Sequence, residues 1–110
     1  MKIYISIPIT GQDYEAQKRK AEQIATCIEL AGHEPENPFN APQPHDTLNE
    51  AQKYAFYMGY DIERLLQCDA IYLSKGWEGS KGCQLENSAA QIYQLREFTS
   101  ITEIPGFEDL

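Results

Sequence analysis

The chain has few basic residues, few cysteines and no long hydrophobic run. It carries 9 Lys and Arg against 17 Asp and Glu among 110 residues, a formal net charge of -8. This balance argues against binding to a nucleic acid polymer, because neutralising phosphates requires clustered Lys and Arg. No run approaches the roughly 18 apolar residues of a membrane helix, and the N-terminal apolar run is too short for a secretory signal. We therefore expect a cytoplasmic protein with no membrane partner.

The cysteine and histidine content predicts neither a disulfide framework nor a metal site. Cys27, Cys68 and Cys83 are an odd number at wide spacing, which is typical of a reducing compartment. No pair has the CxxC spacing of a zinc site, and His33 and His45 have no cysteine or carboxylate arranged around them as ligands. We expect no bound metal.

The remaining composition is that of a folded domain. Hydrophobic residues make up 42% of the chain and aromatic residues 11%. A length of 110 residues supports one domain with one modest core. We predict a single domain over residues 1–110, in which residues 105–110 form a short acidic tail.

The first half of the chain predicts a strand, a helix, a short strand and a second helix. Isoleucines alternate with Tyr and Ser over residues 2–7, as in a strand. Apolar residues then recur at helical spacing from an N-cap at Asp13 to a terminating Gly32. A proline-rich segment leaves room for a short strand near residues 34–37. Thr47, with a glutamate three residues later, predicts the capping box of the second helix.

The second half of the chain predicts a buried strand, a third helix and an edge strand. The run Ala70–Leu73 is apolar on both faces, the pattern of an interior strand covered by helices. A loop with three glycines, residues 75–82, leads into a helix over about residues 83–96. Residues 98–104 are a candidate edge strand.

This alternation of strands and helices predicts an α/β fold. We expect a three-layer structure, similar to flavodoxin or Rossmann folds, with a parallel sheet of about four to five strands and helices on both faces. Right-handed crossovers place the loops that follow the strands at one edge of the sheet, where a ligand binds. These loops are Pro8–Gln12, the proline-rich stretch after Glu34, and Lys75–Gly82.

Several residues at this edge carry chemistry, although each also has a structural interpretation. The segment Ser80–Glu86 runs from a glycine-rich loop into a helix, where free N–H groups favour an anion. Glu86 would be held ionised by the helix dipole in the predicted first turn, although acidic residues are common there anyway. Asp61 falls at the boundary of a buried helix face, and Tyr4 would need a partner for its hydroxyl. Trp77 would either cover a base or close the domain.

Short stretches in order along the chain carry a resemblance to a known family: Lys2–Gly11, Glu36–Pro38, Asp61 with Leu65, Cys68–Ile71 with Leu73, and Trp77, Ser80, Gly82, Glu86 and Ala90. Their order and spacing resemble the nucleoside 2-deoxyribosyltransferase-like superfamily, to about residue 95. Within it, the chain is similar to small uncharacterised bacterial and phage members and to nucleoside 5'-monophosphate N-glycosidases.

The resemblance implies a role for each matching residue. Glu86 takes the position of the nucleophile that attacks the anomeric carbon, and Asp61 that of the residue assisting proton transfer to the departing base. Tyr4 matches the tyrosine that orients the nucleophile. Ser80 and Gly82 match the residues that hold the phosphate in members acting on nucleotides. True transferases have an acidic residue at the serine position, so Ser80 favours a nucleotide over a nucleoside.

The chain also departs from the family pattern near the substrate. Ile7 stands where the family often has a glycine, and the loop that begins with Pro8 lacks the arginine of the nucleotide hydrolases. Gln84 replaces a glycine two residues before the glutamate. We expect Pro8 and Trp77 to contact the substrate together with Ser80.

The resemblance predicts a hydrolase or transferase that cleaves the N-glycosidic bond of a (deoxy)nucleoside 5'-monophosphate without a cofactor. Its partner would be a small nucleotide or nucleoside. The alternatives are a non-catalytic nucleotide-binding or sensor module and a receiver or flavodoxin-like domain, although no aspartate ends the third strand as a receiver requires. The resemblance also implies a homodimer or higher homo-oligomer, for which Tyr54, Tyr57 and Met58 would supply a face.

Overall fold

Strands and helices alternate along residues 1–109, the part of the chain described by a computed structural model. Within this range they are β1 (Lys2–Ser6), α1 (Tyr14–Leu30), β2 (Glu34–Glu36), α2 (Glu50–Leu65), β3 (Ala70–Leu73), α3 (Lys81–Ile92) and β4 (Arg96–Phe98). One 3₁₀ turn follows β2, one follows β3 and two follow β4. No helix in the described range combines the length and apolar character needed to cross a membrane.

The strands form one parallel sheet in the order β2-β1-β3-β4. The predicted α/β fold is confirmed, with four strands over residues 1–109. From β1 the chain moves outward to β2, then returns across β1 to β3 and β4, so the winding direction reverses between β1 and β3. Such a reversal opens a crevice at the carboxyl ends of the two strands, which is where ligands bind in open parallel sheets.

The two-residue period of the strands separates two cores. Ile3 and Ile5 of β1 point towards α1, where they pack with Ala21, Ala25 and Ile28. Tyr4, between the two isoleucines, belongs to the opposite core with Ile71 and Leu73 of β3, Leu65 of α2 and Ala90 of α3. Ser6 follows Tyr4 by two residues and therefore lies on the same face of β1. The alternation read from the sequence thus places both side chains opposite α2 and α3.

The N-terminus of α2 lies two residues later than predicted. The capping box is formed by Asn49 and Gln52: the Asn49 side chain accepts from the Gln52 N–H at 2.8 Å, and the Gln52 side chain accepts from the Asn49 N–H at 2.9 Å. Thr47, the predicted cap, instead hydrogen-bonds to Nδ1 of His45. Both sites satisfy the sequence rule, since an asparagine followed by a glutamine three residues later is equally suited to the box.

The predicted ends of α3 and β4 are also wrong. α3 begins at Lys81, with Ser80 as its N-cap, and ends at Ile92. The chain leaves the helix through Gln94, whose φ of 58° is left-handed without a glycine to signal it. This early exit allows β4 to pair with β3 from Arg96 onwards, whereas the prediction placed a strand over residues 98–104.

The start of the predicted acidic tail is packed against the domain. The backbone oxygen of Pro105 receives a hydrogen bond from His33 Nε2 at 2.6 Å. Gly106 has φ +93° and lies so close to Ala31 that a Cβ would collide with the backbone oxygen of that residue. A 3₁₀ turn follows at Phe107–Asp109, and residue 110 lies outside the described residues.

Candidate active site

A cleft of about 870 Å³ lies at the carboxyl edge of the sheet, beside the reversal of the winding. It is lined by Ile7, Ile9, Thr10 and Tyr14 after β1, by Pro38, Phe39, Ala41 and Gln43 after β2, by Glu50, Lys53, Tyr54, Tyr57, Met58 and Asp61 of α2, and by Gly79, Ser80, Lys81, Gly82, Cys83 and Glu86 around the start of α3. Its volume is in the range of small-molecule sites.

Glu86 is held in the floor of this cleft by two hydroxyl groups. Its side chain is only 5% exposed. The Tyr4 hydroxyl donates to Oε2 at 2.6 Å, and the Ser6 hydroxyl donates to Oε1 at 2.8 Å. Both donors lie on one face of β1, and α3 places the carboxylate directly against that face. Each oxygen of the carboxylate therefore has its own hydrogen-bond donor.

Asp61 lies in the same cleft on α2. It is 8% exposed and, like Glu86, lines the cavity. The structure thus brings together two acidic residues that are 25 positions apart in sequence. Glu36, at the end of β2, carries a further negative charge that acts on Asp61, and its own carboxylate pairs with Nε of Arg64 at 3.1 Å.

Burial raises the pKa values of both carboxyl groups in the cleft. The pKa of Glu86 rises from 4.5 to about 7 because burial and the charge of Asp61 outweigh the hydrogen bonds from Tyr4 and Ser6. The pKa of Asp61 rises from 3.8 to about 7 through burial and the charge of Glu36, while Tyr4 lowers it. The pKa of Tyr4 is raised well above 10.0, first by burial, so its hydroxyl stays a proton donor. Near neutral pH the two carboxyl groups therefore titrate as a coupled pair.

The expectation that the helix dipole holds Glu86 ionised is not supported. Because α3 begins at Lys81, Glu86 falls in the second turn of the helix. The field of a helix terminus is strong only within the first turn. Burial under α2 and against β1 therefore dominates, and the pKa of Glu86 rises.

The N-terminus of α3 forms a polar end of the cleft. Ser80 caps the helix by accepting from the Cys83 N–H at 3.3 Å, which leaves the proton of its own hydroxyl to donate. Gly82 also lines the cleft, and Met58 Sδ lies 3.5 Å from the place a Cβ would take there. Lys81 and Lys53 supply positive charge to the same cavity. Ser80 and Gly82 thus share one cleft with both acidic residues.

Two residues predicted to contact the substrate lie elsewhere. Pro8 is buried, and its backbone oxygen accepts from Gln17 Nε2 at 2.7 Å; only its neighbours Ile7 and Ile9 reach the cleft. Trp77 lines a separate hollow of about 350 Å³ and packs against the core that contains Tyr4. The geometry therefore favours the interpretation that Trp77 closes the domain, and neither Trp77 nor Pro8 lines the cleft that contains Glu86.

Sequence reasoning missed Ser6 and the aromatic walls of the cleft. Ser6 had a signal, since it is a polar residue two positions after Tyr4 in a buried strand. The aromatic walls gave no signal in the sequence, because Tyr14 and Phe39 belong to separate elements and meet only in the fold. Their rings are in edge contact, with 5.2 Å between the ring centroids. Among the side chains that the structure describes, those of residues 1–108, no group of three His, Cys, Asp or Glu is placed to hold a metal ion.

Comparisons with known proteins add a family and a related fold. A family model described as "Domain of unknown function (DUF4406)" matches residues 1–97. No curated protein matches the chain. Among solved structures, it is similar to a 2-deoxyribosyltransferase from the psychrotolerant bacterium Bacillus psychrosaccharolyticus, with a TM-score of 0.67 and 17% identity over 88% of this chain and 69% of that one. At this identity the likeness shows a shared fold.

Proposed function

Because the chain belongs to the DUF4406 family, whose description names no activity, we propose a function from the geometry of its cleft. We propose that the protein cleaves the N-glycosidic bond of a (deoxy)nucleoside 5'-monophosphate through a carboxylate nucleophile. The observation that carries this proposal is the buried Glu86 carboxylate, which accepts a hydrogen bond at each oxygen and shares one cleft with Asp61. The fold shared with a 2-deoxyribosyltransferase supports glycosyl transfer as the reaction class.

The hydrogen bonds divide the two acidic residues into a nucleophile and an acid. When the pair holds one proton, the charge resides on the carboxylate that receives more hydrogen bonds. Glu86 receives two hydroxyl protons, whereas Asp61 lies near a tyrosine whose single proton is already donated to Glu86. Glu86 is therefore the nucleophile, Asp61 carries the proton, and Tyr4 orients the nucleophile.

In the first step, an oxygen of Glu86 forms a bond to C1' of the sugar while the bond from C1' to the base nitrogen breaks. The electron pair of that bond stays on the base, and Asp61 delivers its proton to the base. The transition state resembles an oxocarbenium ion, which the negative charge of Glu86 stabilises. The products of this step are a free base and a sugar ester of Glu86.

In the second step, a water molecule attacks C1' and the ester bond breaks. The electron pair returns to the Glu86 carboxylate, and the proton of the water passes to Asp61, which restores both side chains. Attack by the nitrogen of a second base, which gives its proton to Asp61, completes transfer instead of hydrolysis. No metal or organic cofactor takes part in either course.

The polar end of the cleft suits a 5'-phosphate. The hydroxyl of Ser80, the N–H of Gly82 and the charge of Lys81 converge at the first turn of α3. Free N–H groups and the positive end of a helix dipole favour a phosphate at this position. We propose that Ser80 and Gly82 hold this phosphate.

Incubation with deoxynucleoside monophosphates, with free base followed by chromatography, tests the reaction. Wild-type protein releases base, Glu86→Gln loses release by several orders of magnitude, and mass spectrometry of denatured wild type finds a sugar phosphate on the peptide containing Glu86. Glu63→Gln is the control, because this exposed acidic residue follows Asp61 by only two positions on α2. Equal release by Glu86→Gln contradicts the proposal, and binding of nucleotide by wild type without release favours a non-catalytic binding module.

We further propose that the protein acts as a homodimer or higher homo-oligomer in the cytoplasm. Tyr54 on α2 is 43% exposed, and Leu85 and Ile92 on α3 are 50% and 73% exposed, so these helices present apolar surface to solvent. Light scattering coupled to gel filtration measures the assembly. A monomer at micromolar concentration contradicts this part of the proposal.

A further inference from the structure

Resting on the proposed glycosyl transfer, we propose that Ser6 is a positioning residue for the nucleophile. Its hydroxyl holds Oε1 of Glu86 while Tyr4 holds Oε2, and the two donors together fix the rotation of the carboxylate. This role is separate from that of Tyr4, which lies nearer to Asp61 and influences both acidic residues.

The geometry requires both donors. The last torsion of a glutamate side chain is broad, so a carboxylate held at one oxygen still rotates about that contact. With Tyr4 at 2.6 Å on Oε2 and Ser6 at 2.8 Å on Oε1, the plane of the carboxylate is set at two points. One lone pair of each oxygen is used, so the direction of the remaining lone pairs is fixed. Holding a nucleophile in the right orientation supplies a large share of the rate acceleration for its attack on carbon.

Ser6 is itself held rigidly. It is the last residue of β1, pairs with Leu73 of β3, and its backbone oxygen accepts from the Ser74 N–H at 3.0 Å. Its side chain is 0% exposed, so water does not compete for the hydroxyl. Among the described residues, Ser6 is absent from the lining of the cleft, so it acts on the reaction through its neighbours, of which Glu86 receives its hydroxyl proton at 2.8 Å.

Removing the Ser6 hydroxyl therefore has a specific signature. A hydrogen bond to the charged form of Glu86 is lost, so the pKa of Glu86 rises. The rate constant kcat falls by about tenfold to a hundredfold, the range for one hydrogen bond to a charged group, while KM is unchanged. The titratable groups that face Glu86 are Tyr4 on β1, Asp61 on α2 and Cys83 on α3. The substitution replaces none of these side chains, but it also removes a Ser6 hydrogen bond that lowers the pKa of the Cys83 thiol.

The test compares Ser6→Ala with Ser74→Ala. Ser74 is a matched control, because it is a buried serine just after the neighbouring strand, and its hydroxyl has no partner within residues 1–109. Carbon-13 NMR of glutamate-labelled protein, with the Glu86 signal assigned through Glu86→Gln, gives the pKa of Glu86 in each variant. Base release between pH 5 and 9 gives kcat, KM and the acidic limb of the profile. Ser6→Cys, which keeps the size with a weaker donor, is expected to be intermediate.

The inference is supported if Ser6→Ala alone raises the pKa of Glu86 and moves the acidic limb of kcat to higher pH. It is overturned if Ser6→Ala and Ser74→Ala match wild type in both readouts. If wild type releases no base, the proposed glycosyl transfer is wrong, but the NMR titration still tests the hydrogen bond from Ser6 to Glu86. A raised pKa of Glu86 in Ser6→Ala supports that hydrogen bond, and an unchanged pKa overturns the inference.

Discussion

Glu86 and Asp61 are buried carboxyl groups, and within the described residues neither forms a salt bridge. A buried acid without a cation keeps its proton more tightly than an exposed one, which is why both pKa values rise to about 7. The same property that equips the pair for proton transfer near neutral pH opposes folding once the pair must ionise.

The pair makes stability depend on pH. In the folded state the pKa of Glu86 is about 7, against 4.5 ordinarily, so from about pH 4.5 to 7 the unfolded chain releases a proton that the folded protein retains. The contribution of Glu86 to the free energy of unfolding is complete below about pH 4.5, is lost as pH rises to about 7, and changes no further above that. Glu86→Gln should therefore gain up to about 3 kcal/mol relative to wild type across this range.

Urea denaturation of wild type and Glu86→Gln at intervals from pH 4.5 to 8.5 measures this difference. Glutamine fits the site, because its oxygen accepts from Tyr4 while its amide donates to the Ser6 oxygen. A difference between the two proteins that is constant with pH contradicts the raised pKa.

Asp61→Asn removes the proposed proton donor and preserves the size of the side chain. We expect base release to fall by about 10²- to 10⁴-fold, the usual contribution of general acid catalysis. The alkaline limb of kcat/KM, near pH 7 in wild type because of the pKa of Asp61, should disappear. Nucleotides whose bases leave easily should lose the least, and equal losses for all bases would contradict the role of acid.

The residues that meet in the candidate site were predictable as a set, but their burial and ionisation were not. Glu86, Asp61 and Tyr4 were identified through a resemblance that depends on residue types and spacing. Their ionisation depends on burial by several elements, which no local pattern encodes. The helix-dipole argument considers only the local sequence, and it therefore predicts an ionised Glu86 where burial raises the pKa. The position of Ser6 beside Tyr4 could have been predicted from the two-residue alternation of a strand.

At the scale of elements, the start of α3 combines a structural and a proposed binding role in one residue. Ser80 caps the helix and also faces the proposed phosphate position. Aspartate is as good an N-cap as serine, but its charge repels a phosphate. A substitution can therefore separate the two roles.

Ser80→Asp should leave thermal stability within about 0.5 kcal/mol of wild type. The KM for a deoxynucleoside monophosphate should rise by more than tenfold, while the KM for the corresponding nucleoside is unchanged or falls. Kinetics with matched nucleoside and nucleotide pairs measure this shift. A parallel rise of KM for both substrates would contradict phosphate binding at Ser80.

Elements were predicted more securely than their ends. The strand over residues 2–7 and the buried run Ala70–Leu73 follow from apolar patterning, which the core enforces. Helix ends depend on a balance among neighbouring caps, and Thr47 and Asn49 compete on nearly equal terms. The exit of α3 through Gln94 is imposed by the pairing of β4 with β3, a contact distant in sequence.

At the scale of the whole molecule, the C-terminal segment closes the α1 side of the sheet. Ile104 is 1% exposed and belongs to the core under α1, and Gly106 approaches the end of that helix. This segment lies on the face of the sheet opposite to Glu86 and Asp61. Its contribution to stability should therefore be separable from the chemistry of the cleft.

Gly106→Ala tests that separation. A side chain there meets the Ala31 backbone and adopts a φ of +93°, so we expect a loss of about 1–3 kcal/mol in the free energy of unfolding. The kinetics of base release at a temperature below unfolding should match wild type. A stable variant, or one with altered KM, would contradict this account.

The sheet ends on both sides in strands of three residues, β2 and β4. Exposed strand edges template pairing with other chains, and aggregation starts at long, regular ones. Here one edge contains Pro35, which lacks a backbone donor, and the other begins with the charged Arg96. Both edge strands are therefore short, and one lacks a donor while the other carries a charge. These features oppose fibril-like pairing between the open sheets of neighbouring molecules.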